Sequence, residues 1–365
     1  MTDRLGTVGE APPSLSAGEL AIPAWASGDA LEDLARKKLP QATFDAIAGG
    51  AGDELTVRAN LNAFERLYLR PRTFVDVADR TTRVTVLGSS LAAPLYVNPM
   101  GGQQRVHPLG EAGSAAGAAQ VGVGFMLGVA SSISMEEVAA RAGEARWFQF
   151  YFSTRDRGAI VDLVDRAAAA GFKALCVTGD VPVVTSRRRE LLHEAEGRIP
   201  PPTHLVASDP GVRASQTWKD VEWLRQATAL PVLVKGVMTG EDARIAIDCG
   251  VSGVVVSNHG GRISDHLQAS IDALPEVVDA VGGRAVVFFD GGVQRPTDVA
   301  IAAALGADAI GIGRPVWWAL AYGGSAGVAS LLRQFVVGLN QTLALVGARS
   351  IADLRPSHVG RRAAV

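Results

Sequence analysis

The chain has little cysteine: two residues in 365, Cys176 and Cys249, far apart and each inside an apolar run. That pattern excludes a disulfide framework and a clustered cysteine metal site, and both residues are expected to be small buried hydrophobes. An excess of charge of either sign is also lacking, with 35 Lys and Arg against 37 Asp and Glu. No broad basic surface for nucleic acid is therefore expected, and any anionic ligand must be met by local residues. No apolar run reaches the ~18 residues of a membrane span, so no membrane partner is expected. The six histidines show neither HxxxH nor H-x-E with C-x-x-C spacing, which argues against a metal site. Residues 1–30 lack the apolar core of a secretory signal and read as a flexible lead-in to a cytoplasmic protein.

What is present is apolar sequence, 48% of the residues, and 41 glycines. The length suits two ordinary domains or one large barrel with extensions. Eight short β-branched or aromatic runs recur from residue 90 onward, at Pro94-Met100, Gly124-Gly128, Arg146-Phe152, Lys173-Asp180, Leu230-Gly236, Gly253-Asn258, Ala285-Gly292 and Ala309-Pro315. Ala-rich, 3.6-periodic stretches such as Asp156-Ala170 and Pro296-Leu305 separate them and predict helices. Fully apolar strands alternating with helices imply a parallel sheet covered on both faces. Eight such units in about 250 residues predict an α/β fold of the (β/α)8 TIM-barrel class, spanning 91–347. Residues 31–90 are expected to form an N-terminal helical cover, and 348–365 a C-terminal tail. A long interruption after the fourth strand, 183–216, is expected either to be a lid over the site or to be a solvated loop.

In such a barrel the polar residues at strand carboxyl ends converge on one mouth. The segments there are Asn98, Pro99, Met100 and Gly101 after strand one, Gln149 and Tyr151 in strand three, Thr178 and Asp180 after strand four, Lys235, Ser257 to Arg262 after strand six, Asp290 to Gly292, and Gly311 to Arg314. So many polar groups ending apolar runs predict a bound polar ligand. Glycine-rich turns after strands seven and eight, Gly292 and Gly313 with Arg314 attached, read as a phosphate seat. Lys235 reads as a cation for an anionic ligand or as a Schiff-base nucleophile. His259 is the candidate general base, Asp180 its partner, and Arg262 a carboxylate ligand, with one of Arg187, Arg188 and Arg189 as a second cation.

The ordered segments Ser257-Asn258-His259-Gly260-Gly261-Arg262, Ile271-Asp272-Ala273-Leu274-Pro275, Asp290-Gly291-Gly292-Val293 and Gly311-Ile312-Gly313-Arg314-Pro315 resemble the FMN-dependent α-hydroxy-acid oxidase/dehydrogenase family. That family includes glycolate oxidase, lactate oxidase and mandelate dehydrogenase. The resemblance runs from about Leu31 to Gly347, and the Phe44-Asp45 to Gly49-Gly50 segment looks nearest to the hydroxymandelate oxidase branch. It implies FMN, with its phosphate at Gly292, Gly313 and Arg314, its ring beside Pro99, Met100 and Gly101, its polar edge on Gln149, Thr178 and Ser257, and Asp290 among its neighbours. Lys235 would stabilise the reduced ring, which displaces the Schiff-base reading. A 2-hydroxy acid would lie on Arg262, Arg187 and Tyr151. His259, supported by Asp180, would take the hydroxyl proton while hydride or its carbanion equivalent passes to the flavin. O2 or another acceptor would reoxidise the ring, and a homotetramer or octamer is implied. The Trp317-Trp318 pair and the Leu331-Leu345 helix serve either that interface or barrel packing.

Three departures separate the chain from the family pattern. Ala46 stands where Tyr is usual, Gly128-Val129-Ala130 replaces Ser-Ser-Trp, and Gln294 replaces an Arg, although Arg295 is adjacent. The first two enlarge the site, so a substrate bulkier than glycolate or lactate is expected. The alternative is an FMN-dependent oxidation or isomerisation of a substrate without a carboxylate. Gly101 occupies a position where Gly members tend to be dehydrogenases or monooxygenases.

Overall fold

The computed structural model describes residues 20–23, 28–183, 185–193 and 210–362. Most of the expected lead-in and the middle of the expected lid lie outside these. Eight parallel strands close into a barrel: β1 (Leu95–Val97), β2 (Gly124–Gly128), β3 (Arg146–Phe150), β4 (Leu175–Thr178), β5 (Val232–Lys235), β6 (Gly253–Val256), β7 (Val286–Phe289) and β8 (Ala309–Ile312). They pair in chain order, and β8 closes on β1 with Ile310 opposite Leu95. All eight expected strands are found; Gly124–Gly128 matches its run, and the other seven are shorter because the ends of the runs leave the ladder.

Two apolar layers explain why these runs are strands. Tyr96, Met126, Trp147, Cys176, Leu233, Val255 and Phe288 point inward and pack together. Their neighbours point outward onto the helices. A hairpin absent from the sequence reading, Val84–Val86 with Ser89–Leu91, adds Val86 and Leu91 to the inner cluster and closes the amino-terminal end of the barrel. Helix starts follow their caps: Asp156 accepts from Gly158 and Ala159 N–H, and Thr239 from Asp242 N–H.

Three short helices precede the barrel, α1 (Asp29–Arg36), α2 (Gln41–Ala48) and α3 (Leu55–Glu65). Phe44 of α2 stacks on Trp318 with ring centroids 5.1 Å apart. The helix Arg314–Val346 that follows β8 is long and apolar enough to cross a membrane by length and composition, which corrects the expectation that no such segment exists. It is broken at Gly323–Gly324, and it packs on the helix Gly110–Val121. Trp317 and Trp318 are buried, and Leu331, Leu332, Phe335, Leu339 and Leu343 face the core, whereas Val337 and Leu345 are exposed. Cys176 is buried as expected, whereas Cys249 is only half-buried; both are free thiols.

Candidate active site

A cavity of about 800 Å³ opens at the carboxyl ends of the strands, a size usual for cofactor and small-molecule sites. Of the residues expected at the site, all but Ser257 and Asp180 line it, and these two sit directly behind it. The C-terminal end of α2, with Ala46, Ile47 and Ala48, forms one wall. Seven basic and four acidic side chains line the cavity, so it is built for anions.

His259 follows β6 in a left-handed conformation, φ 57°, which costs energy for any residue but glycine and is tolerated best by Asn, Asp and His. Its backbone N–H donates to Ser257 Oγ at 3.1 Å, and its Nδ1 lies 3.0 Å from Asp180 Oδ1. With Nδ1 engaged, Nε2 is the nitrogen left to exchange a proton. Burial pushes the Asp180 carboxyl up, but His259 and Lys235 outweigh it and hold the group below the usual aspartate range. A permanent negative charge therefore stands behind the imidazole.

Lys235 ends β5 and is buried. Its Nζ donates to Ser257 Oγ at 2.6 Å and lies 3.5 Å from Asp290 Oδ2 and 3.9 Å from Asp180 Oδ2. Ser257 in turn donates to Asp290 Oδ1 at 2.5 Å. Burial pulls the ammonium down, yet Asp290 and Asp180 overcome this and raise it above the lysine range. A lysine so held is charged, the wrong state for a Schiff-base nucleophile. Ser257 is corrected by the same contacts: its hydroxyl links Lys235, Asp290 and the His259 backbone instead of facing the cavity. Gln149 Nε2 donates to Thr178 Oγ1 at 2.9 Å, and both line the cavity.

The arginines depart most from expectation. Arg314 donates to the carbonyls of Ile47, Gly49 and Gly260, each at 3.1 Å. Its guanidinium ties the end of α2 to the barrel while still lining the cavity. Arg262 uses Nη1 on the carbonyls of Ala46 and Gly49, at 3.0 and 2.8 Å, and Nη2 on Glu190 Oε1 at 3.1 Å. Burial, with Arg187 and Arg314 adding repulsion, pulls Arg262 down from the usual arginine range. Arg187 pairs with the other oxygen of Glu190 at 2.6 Å. Arg295 is exposed and outside the cavity, so it does not replace the positive charge missing at Gln294.

The turn after β7 forms an anion cradle. Gly292 has φ 80°, and a Cβ there would come within 2.4 Å of the Asn60 carbonyl. Asn60 of α3 and Asn258 exchange reciprocal amide bonds of 2.9 and 2.8 Å, which pin α3 against this turn. Gly313 opens the next helix at the same place. Asn98 Oδ1 is buried without a partner among the described residues, as expected of a group awaiting a ligand. A phosphate and a flat polar ring fit these residues. Three contributors escaped sequence reasoning: Arg105, Asn60 and Glu190. Only Glu190 left a trace, as the acid closing the Arg187-Arg188-Arg189 run.

Residues 35–361 match the family model described as FMN-dependent dehydrogenase. The chain is 42% identical over 351 residues to the L-lactate oxidase of Nostoc sp., covering 89% of this chain and 95% of that protein. It is 40% identical over 348 residues to the glycolate oxidase of Spinacia oleracea, covering 90% and 94%. A crystal structure of mandelate oxidase with 3,3-difluoro-2-hydroxy-3-phenylpropionic acid superposes with a TM-score of 0.87 at 39% identity, over 93% of this chain and all of that one. Mandelate oxidase with (S)-4-hydroxymandelic acid also gives 0.87, at 37% identity with the same coverage.

Proposed function

The chain belongs to the family of FMN-dependent α-hydroxy-acid oxidases and dehydrogenases, and from that premise we propose that it oxidises a 2-hydroxy acid bulkier than glycolate or lactate, with His259 as the base. FMN is the cofactor of the family. Its phosphate would be held by the turns at Gly292 and Gly313, its ring by Pro99–Gly101, Gln149 and Thr178, and Lys235 would lie beside it. When bound, it supplies the two-electron acceptor for the carbon bearing the hydroxyl.

The protein's own residues do the rest. Arg262 and Arg187 bind and orient the substrate carboxylate. Burial and the Asp180 charge push the Tyr151 phenol up to about 12, so it stays protonated and donates to a substrate oxygen. His259 Nε2 takes the hydroxyl proton, and the Asp180 carboxylate 3.0 Å from Nδ1 stabilises the imidazolium that results. That contact, in a ring lining a cavity with two arginines, carries the mechanistic reading. The substrate's size is supported by Ala46, Gly128 and Ala130, three small residues that all line the cavity.

The test is anaerobic bleaching of the flavin absorbance by a panel of 2-hydroxy acids. Aromatic or branched acids are expected to reduce the flavin faster than glycolate; glycolate far ahead of all of them overturns the proposed substrate size. Ala46→Tyr fills the wall of α2 and adds a phenol to the cavity. It is expected to shift kcat/KM toward glycolate and away from bulky acids by about tenfold, the usual reach of one pocket residue.

A further inference from the structure

Three guanidiniums line the substrate end of the cavity, and among the described residues a single carboxylate, Glu190, answers them. Glu190 binds Arg187 and Arg262, at 2.6 and 3.1 Å. Arg105 lines the same cavity from the one-turn helix Gln103–Arg105 that follows β1. Its guanidinium has no hydrogen bond or ion pair among the described residues. Burial pulls Arg105 down from the arginine range; Glu190 is near enough to oppose this and Arg187 near enough to add to it.

The turn that carries Arg105 is rigidly seated. Gln103 N–H donates to the buried Glu111 at 2.9 Å, Gln103 Nε2 to the Met100 carbonyl at 3.0 Å, and Ser114 Oγ to Gln103 Oε1 at 2.6 Å. A guanidinium held half out of water on a fixed turn keeps its charge and has lost part of its hydration, so it needs an anion. The substrate carboxylate does not suffice. Once it has joined Glu190 on Arg187 and Arg262, two carboxylates face three guanidiniums, and Arg105 is the one still without a counter-charge among the described residues.

We propose that Arg105 is the seat of a second anionic group, so that the preferred substrate is a 2-hydroxy acid whose side chain ends in a carboxylate or comparable oxyanion. This rests on the 2-hydroxy-acid reading above. The small side chains Ala46, Gly128 and Ala130, which line the cavity, leave room for such a side chain.

The experiment compares flavin reduction of the holoenzyme by 2-hydroxyglutarate and by the uncharged 2-hydroxyhexanoate, in wild type and Arg105→Met. A charge-assisted contact predicts a preference for the dicarboxylate of about tenfold to a hundredfold. Arg105→Met is expected to abolish that preference while leaving 2-hydroxyhexanoate within about twofold. Equal use of both acids by wild type, or equal slowing of both by the variant, overturns the proposal. If no 2-hydroxy acid reduces the flavin, the functional reading fails instead. Glutarate binding, followed by the perturbed flavin spectrum, then decides for Arg105: at least tenfold weaker binding in Arg105→Met supports the seat, and equal binding removes it.

Discussion

Replacement of His259 by Asn is expected to lower the rate of flavin reduction by 2-hydroxy acids by about 10³- to 10⁴-fold, the contribution of a positioned general base. Asn is the informative replacement because φ at this position is 57°, and Asn accepts the left-handed region better than most residues. The fold and the loop 257–262 should therefore survive. FMN content and the flavin spectrum are expected to be unchanged, since the phosphate turns lie on β7 and β8. Carboxylate inhibitors should bind within severalfold of wild type, because Arg262 and Arg187 are untouched. A variant that still reduces its flavin within tenfold of wild type would exclude His259 as the base.

The second large effect concerns stability. Lys235→Met is expected to cost about 3–5 kcal/mol, because removing one partner of a buried ionic group strands the other. Asp290 Oδ2, 3.5 Å away, loses its cation, and Ser257 Oγ loses a donor at 2.6 Å. The measurement is urea unfolding, read as a fall in the midpoint at unchanged slope. Lys235→Met combined with Asp290→Asn should recover a substantial part of the loss, as neutralising both partners removes the stranded charge. If the double variant is as unstable as the sum of the two single ones, the loss comes from packing and not from charge.

The same network sets a pH window. Asp180 is held below its ordinary value of 3.8, so its contribution to stability is present above that value and is lost as pH falls through the lower folded value. Lys235 is raised above its ordinary 10.5, so its contribution is complete below 10.5 and is lost only as pH rises beyond it. The ion network behind the cavity is thus intact across the neutral range.

Much of this was legible in the chain itself. The eight strands announced themselves by apolar runs bounded by polar or glycine residues, and the helices between them by a 3.6 period. In a parallel barrel the strand order and the face that carries the site follow from that alternation. Residues such as Lys235 and His259 are therefore assigned to one mouth by the sequence pattern. Arg105 was not legible, because it lies in a single helical turn too short for a period to mark it. The contacts of Ser257 and Arg314 were not legible for a related reason: a residue type shows what a side chain can bind but not what it meets.

The sequence by itself determined the barrel, the mouth and the family, since these depend on local periodicity and on short motifs whose geometry travels with them. The tertiary structure alone decided how the charges are paired. Arg262 meets the carbonyl of Ala46 across 216 positions of chain, and Glu190 meets Arg262 across 72. Such contacts arise when α2 and the segment after β4 fold over the strand ends, and electrostatic energy depends on the distances that folding creates, not on order along the chain.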